Sequence, residues 1–253
     1  MILVSKIQIP TLPTVKPRRL YVYLPHDYAS SDRRYPVLYM FDGHNVFYNS
    51  HATFGKSWGM KEYLQKTKQP VIVVAVECNH EGNQRLSEYA PWDFHAPKPF
   101  NADVQGRGRI TMDWLTQTLK PEIDATYRTL PDREHTLIAG SSMGGLMSIY
   151  AVTAYNDVFS RAAALSPSLW VDRARMAQLI KASPLAKPTQ IYLDTGSAEA
   201  VRYNRDCAEQ MFRAARLLTK AGACVEARVC PGAQHCEADW EKRIPVFMEY
   251  LLG

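Results

Sequence analysis

The 253-residue sequence predicts an α/β fold, a twisted and mostly parallel sheet with antiparallel N-terminal strands and helices on both faces. Three observations carry that expectation. Short apolar runs separated by Pro-rich or Asp/Ser-rich turns open the chain, as hairpins would. From about residue 70 onward, strand-like and helix-like segments alternate, which favours parallel strands joined by helical crossovers. Several later strands are almost unbroken apolar runs, as strands covered on both faces are.

Taken in order, the early strands fall at residues 5–9, 20–24 and 36–41, and are expected to pair as antiparallel hairpins. The later ones read PVIVVAV (70–76), HTLIAG (135–140), RAAALSP (161–167), TQIYLDT (189–195) and CVEARVC (224–230). Near the C-terminus, Cys207, Met211, Ala214 and Leu218 share one helical face. Trp240, Ile244, Phe247, Met248 and Leu251 do the same for a single last helix. No repeat, low-complexity tract or linker interrupts the chain, so residues 1–253 are expected to form one domain.

Composition narrows the function. A hydrophobic share of 46% and a charged share of 22% are those of a soluble globular protein. The net charge of +5 is spread without a block of like charge, so neither nucleic acid nor a membrane surface is expected as a partner. The five cysteines form no C-x-x-C pair. Cys224 and Cys230 bracket a strand that would hold their Cα atoms ~20 Å apart, too far for a disulfide. Free thiols, an N-terminal apolar run too short for a signal peptide and no membrane-length segment together suggest a cytoplasmic protein. Oligomeric state is not legible.

The most informative stretch is HTLIAGSSMGGLMSIYA, where a strand passes into a helix with almost no loop. Such a turn forces its apex into a strained conformation and needs small neighbours. Read as G-x-S-x-G, Gly140, Ser141, Ser142, Met143 and Gly144 put Ser142 at the apex, its hydroxyl above the sheet and a helix N-terminus behind it. The competing reading is a plain glycine-rich turn. A serine hydroxyl needs a base to act as a nucleophile, and in this architecture base and acid follow it in the chain. Among the seven histidines only His235 does so, in a Pro/Gly turn before the last helix. The acid belongs near the end of TQIYLDTG, where Glu199 can swing toward His235, while Asp194 still lies in the strand and Asp206 comes further on. For an oxyanion, the Met143 N–H and the N–H of His44, turned by Gly43 in FDGHNVF, are the expected donors.

The segments FDGHNVF, GSSMGGLMS, LSPSLW, LDTGSAE and HCEADWEKRIPVFMEYLL resemble, over nearly the whole chain, the putative-esterase family of α/β-hydrolases. That family includes feruloyl and acetyl esterases, S-formylglutathione hydrolases, siderophore esterases and mycolyltransferases. The resemblance implies the α/β-hydrolase fold, Ser142 as nucleophile, His235 as base, and the His44 and Met143 amides as oxyanion hole. At the family's usual acid position this chain has Glu199 in place of the commoner Asp.

The expected activity is therefore hydrolysis of small acyl or aryl esters, including sugar-linked acetyl or feruloyl esters. A thioesterase, an acyltransferase, a peptidase and a non-catalytic carbohydrate- or partner-binding protein remain as alternatives. No cofactor is expected, and His26, His44, His51, His80 and His95 lack zinc-ligand spacing. Asn45, Tyr89, Trp92 and Trp170 are the candidates for substrate contact. Arg85, Glu88 and Phe94 share the long segment 78–109, which is a candidate pocket wall.

Overall fold

The computed structural model describes residues 1–10, 12, 16–199 and 206–253. Its strands are β1 (Ile2–Ile7), β2 (Arg18–Tyr23), β3 (Val37–Met40), β4 (Ile72–Val76), β5 (Phe94–Ala96), β6 (Ala102–Val104), β7 (Thr136–Ser141), β8 (Arg161–Leu165), β9 (Gln190–Gly196) and β10 (Cys224–Cys230). Eight of them make one sheet in the order β1-β2-β4-β3-β7-β8-β9-β10, and β5 and β6 form a separate hairpin.

Alternation explains why the central strands are apolar throughout. Ile72 and Val74 of β4 face one core with Tyr39, Ile138, Ala162 and Leu193. Val73 and Ala75 face a second core with Leu38, Leu137, Ala163 and Tyr192. Each face is closed by helices: the helix Met143–Ala154 supplies Leu146 and Ile149 to the first core. The helix Ile244–Leu252 supplies Phe247 and Leu251 to the second. With side chains of successive residues pointing opposite ways, both sets must be apolar.

Two sequence expectations are corrected. The early strands do not form a run of hairpins: β1 and β2 are antiparallel, but β2 then pairs antiparallel with β4, and β3 lies parallel between β4 and β7. The reason is burial, since all four residues of β3 are covered whereas β1 shows four exposed residues at the sheet edge. The single last helix is two helices, Glu237–Glu241 and Ile244–Leu252, the second with Pro245 in its first turn. A proline lacks the N–H that a helix interior requires but suits a first turn. The apolar stripe survives the break, with Trp240, Ile244, Phe247, Met248 and Leu251 all buried. Among the described residues all five cysteines are free, and no helix is long and apolar enough to cross a membrane.

The parallel strands β3, β4, β7, β8, β9 and β10 run the same way. Their carboxyl ends therefore deliver Asp42, Cys78, Ser142, Ser166, Glu199 and His235 to one side of the sheet. That edge is where ligands bind in open α/β sheets.

Candidate active site

Ser142 sits between β7 and the helix Met143–Ala154 with φ 58° and ψ −120°. For a residue with a side chain this backbone costs about 1–3 kcal/mol and must be held by its surroundings. Here its N–H donates to Leu165 O at 2.9 Å, and its carbonyl accepts from Leu146 N at 3.0 Å and Ser168 N at 2.9 Å. Glycines make the turn possible: a Cβ on Gly140 would lie 2.7 Å from the Gly144 carbonyl carbon, and one on Gly144 would lie 2.9 Å from Phe41 Cβ. The half-buried Ser142 side chain opens into a cavity of about 710 Å³. Met143 is the first residue of the helix, so its N–H has no carbonyl one turn back to bond.

His235 and Glu199 line the same cavity. His235 Nδ1 and Glu199 Oε2 are 3.0 Å apart, and the imidazole stands edge-on to Trp240 at 5.0 Å between ring centres. The other oxygen of Glu199 accepts from Ser166 Oγ at 2.6 Å and from Gly196 N at 2.7 Å, with Arg243 Nη2 at 3.4 Å. Burial pushes the Glu199 carboxyl up, but the hydrogen bonds from His235 and Ser166 outweigh it and hold the group below its ordinary value.

Asp194 belongs to β9 and is fully buried. Its oxygens are taken by Arg243 Nη1 at 2.8 Å and Tyr192 OH at 3.0 Å. Asp206 precedes the helix Cys207–Lys220 and lines a different pocket, with Arg173 and Arg213. Of the three acids, Glu199 is the one that meets the imidazole.

The Ser142 hydroxyl is bonded to Ser168 Oγ at 3.3 Å, not to His235. Ser166, at φ 47°, stands at the end of β8, accepts from Trp240 Nε1 at 3.0 Å and from Arg243 Nη1 at 3.1 Å, and donates its own hydrogen bond to Glu199 Oε1. Sequence reasoning missed Ser166, Ser168 and Arg243. Only the SPS in LSPSLW, two serines around a proline at a strand's end, could have pointed to the first two.

The His44 turn is built differently from the expectation. Asp42, not Gly43, holds the left-handed conformation, at φ 56°. Gly43 serves close approach, because a Cβ there would lie 2.6 Å from the Ala75 carbonyl carbon. Asp42 is fixed by a two-pronged ion pair with Arg85 at 2.7 Å to each oxygen, and its N–H donates to Tyr89 OH at 3.1 Å. The turn places His44 in the cavity wall. Burial lowers the His44 imidazole pKa to about 4, so the ring is neutral at neutral pH.

Asn45 and Trp170 also line the cavity. Asn45 Nδ2 donates to Glu237 Oε1 at 3.2 Å, and Trp170 packs edge-on to Phe94 at 5.8 Å. Glu237 is buried in the same wall, and burial, with the Asp42 charge adding to it, pushes its carboxyl up. Two aromatic candidates lie elsewhere. Tyr89 packs against Phe41 at 5.0 Å, and Trp92 packs against Tyr150 at 6.0 Å, both off the cavity wall. Glu88 likewise turns inward, to a buried pair with Arg18, while Arg85 does line the cavity. One further grouping had no signal in sequence spacing: His44, Cys78 and His80 meet in space on that wall.

Comparisons with known proteins bear on the family and the fold. A family profile described as "Putative esterase" matches residues 14–250. The uncharacterized protein YbbA of Bacillus subtilis is 25% identical over 244 residues, covering 93% of each chain. Esterase Rv1288 of Mycobacterium tuberculosis is 30% identical over 145 residues, which span 57% of this chain and 28% of that protein. Among solved structures, an IroE-like serine hydrolase from Shewanella oneidensis superposes with a TM-score of 0.80 at 21% identity, covering 100% of this chain and 80% of the other. At that identity the likeness shows the fold, which is that of the α/β-hydrolases.

Proposed function

The chain belongs to the esterase family that matches residues 14–250, and on that premise we propose that it hydrolyses small acyl or aryl carboxylic esters through an acyl-enzyme on Ser142. The observation that carries this reading is the meeting, in one cavity, of a strained apex serine and an imidazole already bonded to a buried carboxylate at 3.0 Å.

The chemistry follows from the roles each group can fill. In this mechanism the Ser142 hydroxyl leaves Ser168 for His235, a bond that often tightens only once substrate binds. His235 Nε2 takes the serine proton as the oxygen attacks the ester carbonyl. Glu199 on Nδ1 fixes the tautomer and steadies the imidazolium. The Met143 and His44 amides receive the negative oxygen, aided by the positive end of the helix Met143–Ala154. His235 then gives its proton to the departing alcohol, and water repeats the sequence to release the acid.

Asn45 and Trp170 would contact the acyl or alcohol part of such a substrate. Thioesters and transfer to a sugar hydroxyl would use the same groups. A panel of nitrophenyl acetate, acetylated sugars, feruloyl esters, S-formylglutathione and a peptide anilide tests the assignment. Turnover of at least one oxygen ester that disappears in Ser142→Ala is expected. Preference for the anilide, or no turnover of any ester, contradicts it.

A further inference from the structure

His44 follows β3, while Cys78 and His80 follow β4. Because those strands are parallel neighbours, both loops leave the sheet at the same end. There the ligand atoms of the three side chains all lie within 4.8 Å of one another, on the cavity wall. The His44 ring is 2% exposed, and its Nδ1 has no hydrogen-bond partner. A buried polar atom left bare costs about 1–3 kcal/mol, a cost that a bound ion on this nitrogen would relieve.

The Nε2 atoms of both rings are engaged in an informative way. His44 Nε2 is bonded to Thr53 Oγ1 at 3.0 Å, and His80 Nε2 to Glu77 Oε1 at 3.1 Å. Metal-bound imidazoles characteristically hold an oxygen acceptor on the far nitrogen, which fixes the ring and its tautomer. The two rings meet edge to face at 4.4 Å. The carboxylates of Glu77 and Asp42 favour a cation here, and the Arg85 guanidinium, paired with Asp42, opposes it.

We propose that His44, Cys78 and His80 form a three-ligand site for a thiophilic divalent cation of the zinc type, with a fourth position open to the cavity. Tetrahedral bonds to nitrogen and sulfur separate the donors by about 3.5 Å, so loading closes the present arrangement by about 1 Å. His80, with 49% of its side chain exposed, can make that movement. Cys78 binds as the thiolate and its proton passes to solvent, one proton for each ion. A cation here also braces the turn Gly43–Asn45, which carries His44 in the cavity wall. The site does not depend on the serine chemistry proposed above.

Titration of the chelator-stripped, full-length protein with Co²⁺ tests the site, followed by displacement with Zn²⁺ in competition with a chromophoric chelator. One ion per chain is expected, with a thiolate-to-cobalt charge-transfer band that Cys78→Ser removes. His80→Ala, at an exposed loop position and expected to fold, should weaken Zn²⁺ binding at least ~10-fold. Circular dichroism melting of both variants checks that the fold is kept. Absence of the band from the wild-type protein, its survival in Cys78→Ser, or wild-type affinity in His80→Ala would overturn the proposal.

Discussion

At the residue scale, the proposed chemistry gives unequal tasks to groups that look alike in sequence. Ser142→Ala or His235→Ala should each lower ester turnover at least ~10³-fold with the melting temperature kept, because nucleophile and base act as a unit. Glu199→Gln should cost less turnover than these. Asp194→Asn should act on stability instead, since it weakens the partner of a guanidinium that is 4% exposed in a buried ion pair. Losing one partner of such a pair costs about 3–5 kcal/mol. Comparing kcat with melting temperature for the two acid variants checks this division. The Glu199 carboxyl is held below its ordinary value of 4.5, so its contribution is fully present above that pH and is lost as pH falls through the lower folded value. Glu199→Gln should therefore show a shallower loss of melting temperature on the acid side than the wild type. The apex serine, the imidazole and Glu199 were legible because a motif and chain order constrain them locally. Ser166, Ser168 and Arg243 were not, because only tertiary approach brings them to the site. The packing of Tyr89 and Trp92 was not legible, because an aromatic ring suits a pocket and a core equally well.

Elements fix where those residues can go. Most strands of the main sheet were readable from apolar runs, although β1 begins three residues earlier than read and the β5–β6 hairpin gave no such run; the place of β3 in the sheet was not readable, since its sequence VLYM would suit either an edge hairpin or a central strand until its neighbours cover both faces. Likewise the apolar stripe from Trp240 to Leu251 was legible while the break within it was not. That break frees Arg243, between the two helices, to reach Asp194 and Glu199. The turn Gly43–Asn45 yields a prediction at this scale. Gly43→Ala places a Cβ about where the Ala75 backbone already lies, 2.6 Å away, so the turn must shift and carry the His44 amide with it. Displacing one oxyanion donor should lower kcat by about 10²-fold, and overpacking should cost about 1–3 kcal/mol of stability. Steady-state kinetics and denaturant unfolding measure the two effects.

For the whole molecule, one sheet serves both cores and carries Ser142, His235, Glu199 and His44 at the same end. Six parallel strands end there, so residues from Asp42 to His235 converge without any long-range chain excursion. We infer one folding unit, and scanning calorimetry should show a single cooperative transition with equal calorimetric and van't Hoff enthalpies. The central claim is that the serine hydroxyl at the sheet's end is activated by the imidazole from near the far end of the chain. Treatment of the folded protein with a fluorophosphonate, followed by peptide mapping, tests it most directly. The account predicts one adduct, on Ser142, formed far more slowly in His235→Ala; an unlabelled protein, or labelling that persists undiminished in Ser142→Ala, would contradict it.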